Sequence, residues 1–214
     1  GMLEEAETFL RQAIALKFDY ATAHNNLGIT LHALGRLEEA ESSLKQAVSL
    51  KPDFVEAYIN LGNTLKKLNK LDEAKASYTQ LIQLKPDYID GYKNLGVILR
   101  ELGKLSESEE KLRYAIALKP NDAEAFNSLG NTLQEMGKFE EAMNSFIQSI
   151  LLNSNNCNAH NNLGVVFHEL GRLEEAEKSL RQAISIKFDY AEAYNNLGNL
   201  LQDLGRFDEA ELCF

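Results

Sequence analysis

Asparagine side chains recur in this sequence at a spacing that suits contact with an extended peptide. Each stands directly before a Leu-Gly pair, and any two of them are separated by a multiple of 34 residues. A carboxamide carries both hydrogen-bond donors and an acceptor, so a row of them can bind the N–H and C=O groups of a peptide backbone whatever its sequence. The row consists of Asn26, Asn60, Asn94, Asn162 and Asn196, with Ser128 at the corresponding position in between.

Three residues after each position of the row, the residue type alternates between aliphatic and asparagine. An alternation of this kind suits a ligand that presents apolar side chains at regular intervals. It also fits an exposed position that tolerates both types, and the sequence leaves the two interpretations open. The alternating residues are Ile29, Asn63, Val97, Asn131, Val165 and Asn199, of which Asn63 and Asn131 join the candidate binding residues.

A group of basic side chains is a second candidate feature. Lys66, Lys93 and Arg100 lie in neighbouring parts of the pattern, and a group of positive charges attracts acidic peptides. Acidic residues such as Asp90 and Glu101 occur in the same segment. A mixed surface that faces only solvent is therefore the alternative interpretation.

Histidine and cysteine, which would indicate a metal or redox site, do not occur at useful spacings. His24 and His32 are eight residues apart, so on one helix they would lie about 12 Å apart along the axis, too far to share a metal. Cys157 and Cys213 form no metal-ligand or redox motif and indicate reduced thiols in a cytoplasmic protein. The sequence also lacks a nucleophile–base pair and a phosphate-binding glycine loop. We therefore predict no catalytic residue, no metal and no cofactor.

The overall composition indicates a soluble, folded protein. The chain has 214 residues, of which 44% are hydrophobic and 25% charged, and its net charge is −10. A negative charge of this size disfavours binding to nucleic acid or anionic lipid. No apolar run is long enough to span a bilayer, and the first residues do not resemble a secretion signal. We predict a cytoplasmic protein without nucleic-acid or membrane partners.

The 34-residue period predicts the secondary structure on which the candidate residues lie. Counting each repeat from Ala21, we find an aromatic residue or histidine at place 4, leucine at place 7, glycine at place 8 and mostly alanine at place 20. Two stretches in each repeat carry apolar residues at helical spacing. Each repeat is therefore predicted to be a helical hairpin. One hairpin cannot bury both apolar stripes alone, so neighbouring hairpins must stack into a solenoid.

Local residue types predict where these helices begin, end and approach each other. Glycine, or asparagine at Asn69, is expected to adopt the left-handed conformation that ends the first helix of a hairpin. Asp53 and Asp189 are predicted to cap the next first helix. Gly62, in the middle of a helix, predicts a close approach of the alanine at place 20, here Ala74.

The period divides the chain into a single array with incomplete repeats at both ends. Residues 3–28 and 173–198 agree at 20 of 26 positions, which indicates duplication of a block of repeats. We expect a fragment of a longer array, whose unpaired apolar surface near Leu10, Ala210 and Phe214 favours end-to-end self-association. The partial repeats are 1–20 and 191–214, and the full repeats are 21–54, 55–88, 89–122, 123–156 and 157–190.

The combined pattern of aromatic residue, Leu-Gly, alanine and proline resembles the tetratricopeptide repeat (TPR) family over essentially the whole chain. The resemblance implies an all-α, right-handed superhelix of antiparallel helix pairs, whose first helices line a concave groove. It places the asparagine row and the basic residues in that groove. The proline place holds Pro52, Pro86 and Pro120, and it departs from the family pattern at Phe18, Ser154 and Phe188.

The asparagine row is also similar to that in the TPR superhelix of O-linked N-acetylglucosamine transferases. This resemblance implies contact with the backbone of an extended peptide, and the alternative is that each asparagine bonds to the adjacent repeat. We expect a non-catalytic scaffold that holds a protein or peptide ligand in its groove. A substrate-recruiting arm of a larger glycosyltransferase and a self-assembling structural solenoid remain open. The basic residues do not match the carboxylate clamp of chaperone-binding TPR domains.

Overall fold

The computed structural model describes residues 1–213, which form helices and turns without any strand in that range. Even-numbered helices are the first helices of the repeats, and odd-numbered helices are the second. Within the described range the helices are α1 (Met2–Leu16), α2 (Ala21–Ala33), α3 (Leu37–Leu50), α4 (Val55–Lys67), α5 (Leu71–Leu84), α6 (Ile89–Glu101), α7 (Leu105–Leu118), α8 (Ala123–Glu135), α9 (Phe139–Leu152), α10 (Cys157–Glu169), α11 (Leu173–Ile186), α12 (Ala191–Asp203) and α13 (Phe207–Glu211).

The chain contains two compact units, Gly1–Lys104 and Leu105–Phe214. In the first unit each helix packs on the next in the chain, and α2 also contacts α4. The same arrangement recurs in the second unit, where α8 contacts α10 and α10 contacts α12. The predicted all-α solenoid of helical hairpins is therefore confirmed.

Each unit has a core of aliphatic and aromatic residues supplied by both helices of every hairpin. In the first unit the largest fully buried side chain is that of Tyr78, which packs with Leu44, Leu65 and Leu81. In the second unit Phe146 holds the equivalent position. Burial of a side chain of this size stabilises a fold by about 1.5–3 kcal/mol, so the second helices contribute strongly to both cores.

Left-handed residues end the first helices, as the sequence predicts. The φ angle is 77° at Gly35, 57° at Asn69 and 73° at Gly137. After α2, the N–H of Arg36 donates to the carbonyl of Leu31 over 2.9 Å, which closes the helix end. Asparagine replaces glycine at Asn69 because its short polar side chain tolerates this conformation better than most.

The mid-helix glycines make room for a large side chain of the second helix, which stands four residues after the place-20 alanine. The nearest contact of Gly62 and of Gly130 is with this side chain, so the prediction that the alanine is the main contact is wrong. A methyl group at Gly62 would lie 2.8 Å from the ring of Tyr78. A methyl group at Gly130 would lie 2.5 Å from the ring of Phe146. Ala74 is buried but is not among the nearest atoms at Gly62. The glycine backbone therefore serves as a flat surface on which a bulky side chain of the second helix rests.

The predicted caps Asp53 and Asp189 are also wrong. α4 begins after Phe54 and α12 after Tyr190, in neither case with a side-chain cap, so both aspartates stand one residue too early. Capping occurs in this protein where a short polar residue lies directly before the helix. Asp122 accepts hydrogen bonds from the N–H groups of Glu124 and Ala125, each over 3.1 Å.

Ion pairs join neighbouring second helices at repeating places. Glu41 on α3 lies 2.7 Å from Lys45 on the same helix and 2.7 Å from Lys70, which directly precedes α5. Because Lys70 belongs to the next repeat, the carboxylate connects two hairpins. The same places hold the triads Glu7–Arg11–Arg36, Glu109–Arg113–Lys138 and Glu177–Arg181–Arg206.

Candidate functional site

Asn60, in the middle of α4, is held by the preceding repeat. Its Nδ2 donates to Oδ1 of Asn25 on α2 over 3.0 Å, and Asn25 is only 4% exposed. Asn25 in turn donates to Oδ1 of the exposed Asn26 over 3.4 Å. Among residues 1–213 no donor reaches Oδ1 of Asn60, so this carboxamide is fixed by one end and keeps an acceptor available.

Asn63, one turn further along α4, is fixed by the opposite end of its carboxamide. Its Oδ1 accepts a hydrogen bond of 2.7 Å from the hydroxyl of Tyr78. Burial raises the pKa of Tyr78, so the hydroxyl stays protonated and able to donate. The Asn63 side chain is exposed, and within the described chain its Nδ2 meets no acceptor. α4 therefore presents one acceptor and one donor that its own repeats do not use.

Asparagines in the second unit form a continuous hydrogen-bonded chain across three repeats. Asn196 donates to Asn161 over 3.0 Å, Asn161 donates to Asn162 over 3.2 Å, and Asn162 donates to Asn131 over 2.8 Å. Asn161 is fully buried and also donates to Glu192 over 3.3 Å. These bonds connect α8, α10 and α12.

Asn127 departs from this pattern. It occupies the same place as Asn25 and Asn161, which accept a hydrogen bond from the following repeat. The following asparagine, Asn162, donates to Asn131 instead, and Oδ1 of Asn127 is buried without a partner. A buried acceptor in this state lowers stability by about 1–3 kcal/mol.

The structure therefore brings three members of the predicted row into bonds between repeats, namely Asn60, Asn162 and Asn196. For these three, the alternative noted from the sequence is what the structure shows. Asn94 is half-buried on α6. Inter-repeat bonding and ligand binding do not exclude each other, since each carboxamide has further donor or acceptor capacity. Binding of a peptide by the row stays a prediction.

The basic candidate residues differ in how far their side chains are exposed to solvent. Lys93 has 12% of its side chain exposed, and its Nζ lies 3.0 Å from Asp90. Lys66 and Arg100 lie near the C-terminal ends of α4 and α6 and are half-buried. Lys67 is exposed, and burial together with the positive charge of Lys67 lowers the pKa of His32 on α2. Attraction of an acidic ligand by these residues stays a prediction.

The histidines at place 4 lie within hydrogen-bond distance of carbonyl oxygens in the turns that precede their helices. A ring nitrogen of His24 lies 3.0 Å from the carbonyl oxygen of Phe18, and one of His160 lies 3.1 Å from that of Ser154. Within residues 1–213, no group of three or more His, Cys, Asp or Glu side chains is arranged to hold a metal ion. None of the helices in that range combines the length and apolar character needed to cross a lipid bilayer.

The asparagines that stand directly before the row are buried or half-buried residues that the sequence pattern does not distinguish. The doubled asparagines at 25–26 and 161–162 are the signal that points to them. A side chain one position from the row turns by about 100° around the helix, and its burial follows only from how the next repeat packs. The residues missed in this way are Asn25, Asn127 and Asn161.

Models of the tetratricopeptide repeat match most of the chain. A model described as "TPR repeat" matches residues 30–69, 97–137, 134–171 and 166–205. A second model, described as "Tetratricopeptide repeat", matches residues 55–88. A comparison with curated proteins found no match.

Several solved structures resemble the fold. YrrB, described as a TPR protein with an unusual peptide-binding site, is 26% identical with a TM-score of 0.69, over 86% of this chain and 95% of YrrB. MamA is 25% identical with a TM-score of 0.64, over 72% of this chain and 90% of MamA. A TPR protein from Parabacteroides merdae ATCC 43184 is 17% identical, with a TM-score of 0.83 over 99% of this chain and 84% of that protein. With its matched repeat models and its helical hairpins, the chain belongs to the tetratricopeptide repeat family.

Proposed function

We propose that this protein is a scaffold that binds an extended segment of a partner protein along its first helices, through the backbone of that segment. The observation that carries the proposal is the pair of half-used carboxamides on α4. Asn60 is anchored through Nδ2 and Asn63 through Oδ1. The groups left over are an acceptor on Asn60 and a donor on Asn63, in fixed positions.

An acceptor and a donor at this spacing suit one residue of an extended peptide. Residues three apart on a helix share a face and are separated by about 4.5 Å along the axis. In an extended chain the N–H and C=O of one residue point to the same side, as they do between paired antiparallel strands. The N–H can donate to Oδ1 of Asn60, and the C=O can accept from Nδ2 of Asn63.

The anchoring bonds increase the binding energy that such contacts provide. A free asparagine loses rotamer entropy when it binds a ligand, whereas Asn60 and Asn63 are already ordered. Preorganisation of this kind strengthens binding by reducing the entropy cost. The related protein YrrB has a peptide-binding site by its description and shares 26% of aligned residues with this chain, which supports the same class of ligand here.

The substitution Asn63→Asp separates ligand binding from folding. Aspartate keeps an oxygen that accepts from the Tyr78 hydroxyl, but it lacks the Nδ2 donor. We expect it to weaken binding of the peptide acetyl-(Ser-Ala)6-amide about five- to tenfold, as for loss of about 1 kcal/mol, with little change in melting temperature. Binding is measured by NMR titration of the asparagine side-chain amides.

Gln46→Glu is the matched control because it adds the same charge at an exposed position on α3. It should leave peptide affinity within twofold of the unmodified protein. Equal affinities for the unmodified protein and Asn63→Asp would refute contact through Asn63.

A further inference from the structure

A hollow between α2 and α4 has the dimensions and lining of a side-chain pocket. Its volume is about 220 Å³. Its walls come from both helices and from one residue of α3, which places it between two consecutive repeats. The lining residues are Gly28, Ile29, His32, Leu44, Asn60, Asn63 and Thr64.

We propose that this hollow binds a leucine-sized aliphatic side chain of the peptide, followed by an acidic residue. The proposal rests on the proposed function, because Asn60 and Asn63 line the hollow and would hold the backbone beside it. Contacts with the peptide backbone do not depend on the sequence of the peptide, whereas binding of a side chain in the hollow would favour particular residues. The hollow thereby becomes the point that sets the register of the bound segment.

Aliphatic surface forms the floor and one wall of the hollow. Gly28 and Leu44 line the hollow, and Leu44 packs directly on the buried Gly28, with its Cγ 2.5 Å from where a methyl group at Gly28 would stand. Ile29 is 44% exposed, although it is a large aliphatic residue. A leucine side chain in the hollow would cover it, which gives this exposed surface an occupant.

The polar groups that line the hollow are neutral, so they do not favour binding of a charged side chain there. Thr64 donates its hydroxyl to the carbonyl of Asn60 over 2.8 Å, so its hydrogen is already used. His32 has a lowered pKa because of burial and the charge of Lys67, and it is therefore neutral at physiological pH. The walls thus combine apolar surface with neutral polar groups, as in most ligand pockets.

Lys67 supplies the charge that determines the neighbouring residue of the ligand. It is exposed at the end of α4, four residues after Asn63 and three after Thr64, which both line the hollow, so it lies one helical turn further along the same face. An acidic residue next to the aliphatic one would complement it. A basic residue in that position would be repelled by Lys67.

The corresponding place in the second unit has Val165 where Ile29 stands, and it also differs at the positions of Thr64 and Lys67. Each residue of the hollow has a counterpart 136 positions later, four repeats along the chain. Leu200 stands where Thr64 stands, and Asp203 stands where Lys67 stands. Asp203 lies 2.8 Å from His168, the counterpart of His32. The larger Leu200 and the negative Asp203 make this second place unsuited to the same ligand.

The test compares three peptides that share one host sequence. The probe is acetyl-Ser-Ala-Ser-Leu-Asp-Ser-Ala-Ser-amide, and its two relatives replace the leucine with alanine or the aspartate with lysine. Affinities come from NMR titration of the full chain, with the methyl groups of Ile29 and Thr64 as local reporters. We expect the leucine peptide to bind about tenfold more tightly than either relative and to shift both reporters.

Ile29→Asn is the variant that removes the aliphatic wall. Asparagine already occupies the same place at Asn63, Asn131 and Asn199, so the fold accommodates it. The variant should bind the leucine and alanine peptides equally. Leu151→Asn, which replaces a 72% exposed leucine on α9, is the control and should keep the preference for leucine.

Each outcome distinguishes the pocket from the groove. If the leucine and alanine peptides bind equally and both shift the amides of Asn60 and Asn63, the pocket is refuted and the proposed function stands. If none of the three peptides binds, both are refuted. Equal binding of the lysine and aspartate peptides would refute the role of Lys67.

Discussion

At the level of single residues, the asparagines bond to neighbouring helices in ways that the sequence does not predict. The period locates Asn60, and the helical spacing predicts which side of α4 it occupies. Its bond to Asn25 depends on how closely α2 and α4 approach each other, which no local pattern determines. The same is true of Asn63, whose anchor is Tyr78 on the following helix. Position is predictable from the sequence here, and hydrogen-bond partners are not.

Replacement of Asn60 by alanine is expected to destabilise the fold. Alanine favours a helix over asparagine by roughly 0.5–0.7 kcal/mol. The substitution leaves the buried Oδ1 of Asn25 without its donor, which costs about 1–3 kcal/mol and outweighs the gain. Urea denaturation should therefore show a net loss of about 1 kcal/mol.

Asn199, at an exposed position on α12, provides the control for this measurement. Within the described chain, Asn199→Ala breaks no bond between repeats and should leave stability unchanged or slightly higher, because alanine favours a helix over asparagine. An Asn60→Ala variant as stable as the unmodified protein would show that the bond to Asn25 contributes nothing.

At the level of helices, the ion pairs between second helices make stability depend on pH. A hydrogen bond from Lys138, opposed by burial and assisted by Arg113, lowers the pKa of Glu109 below its usual value of 4.5. A carboxylate whose pKa is lower in the folded state stabilises the fold above its unfolded pKa, and this stabilisation is lost as the pH falls through the folded value. Stability should therefore decrease as the pH falls below about 4.5.

The variant Glu109→Gln tests this dependence. It should be less stable than the unmodified protein at pH 7, and the difference should shrink as the pH falls towards 3, which thermal denaturation at several pH values measures. Glu140→Gln, at an exposed position on α9, should leave the curve unchanged. A constant difference for Glu109→Gln across that range would contradict an ionic contribution from Glu109.

The ends of the first helices were predictable from the sequence, because a local backbone conformation determines them. Glycine or asparagine at a left-handed residue ends each first helix for a steric reason that is local. The starts of α4 and α12 were not predictable from Asp53 and Asp189, because aromatic residues occupy the position before those helices. The large residue that rests on Gly62 belongs to tertiary packing. A glycine in the middle of a helix predicts that another residue packs closely against it, but it does not predict which residue.

At the level of the whole molecule, stability should be distributed unevenly along the chain. α1 has no buried residue, and the described part of α13 buries Ala210 alone. α5 buries Tyr78 and Leu81, and α9 buries Phe146. In repeat proteins each repeat gains stability mainly from its neighbours, and the sequence-based expectation of weak ends agrees with this burial, although Phe214 lies outside the described residues.

Hydrogen exchange measures this distribution directly. Amides of α1 and α13 should exchange fastest, because local opening there exposes little apolar surface, and those of α5 and α9 should exchange slowest. Mass spectrometry of peptic fragments resolves the individual helices. Equal protection of α1 and α5 in a monomeric sample would contradict the burial that distinguishes them.

We propose that first helices of this protein recognise the backbone of an extended peptide. To test this, acetyl-(Ser-Ala)6-amide is compared with the same peptide methylated at every backbone nitrogen, by NMR titration of the side-chain amides of Asn60 and Asn63. Methylation removes the N–H donors from both edges of the peptide and leaves its side chains unchanged, so we expect the unmodified peptide to shift both amides and the methylated peptide to bind at least tenfold more weakly. Equal binding of the two peptides would refute recognition through the backbone.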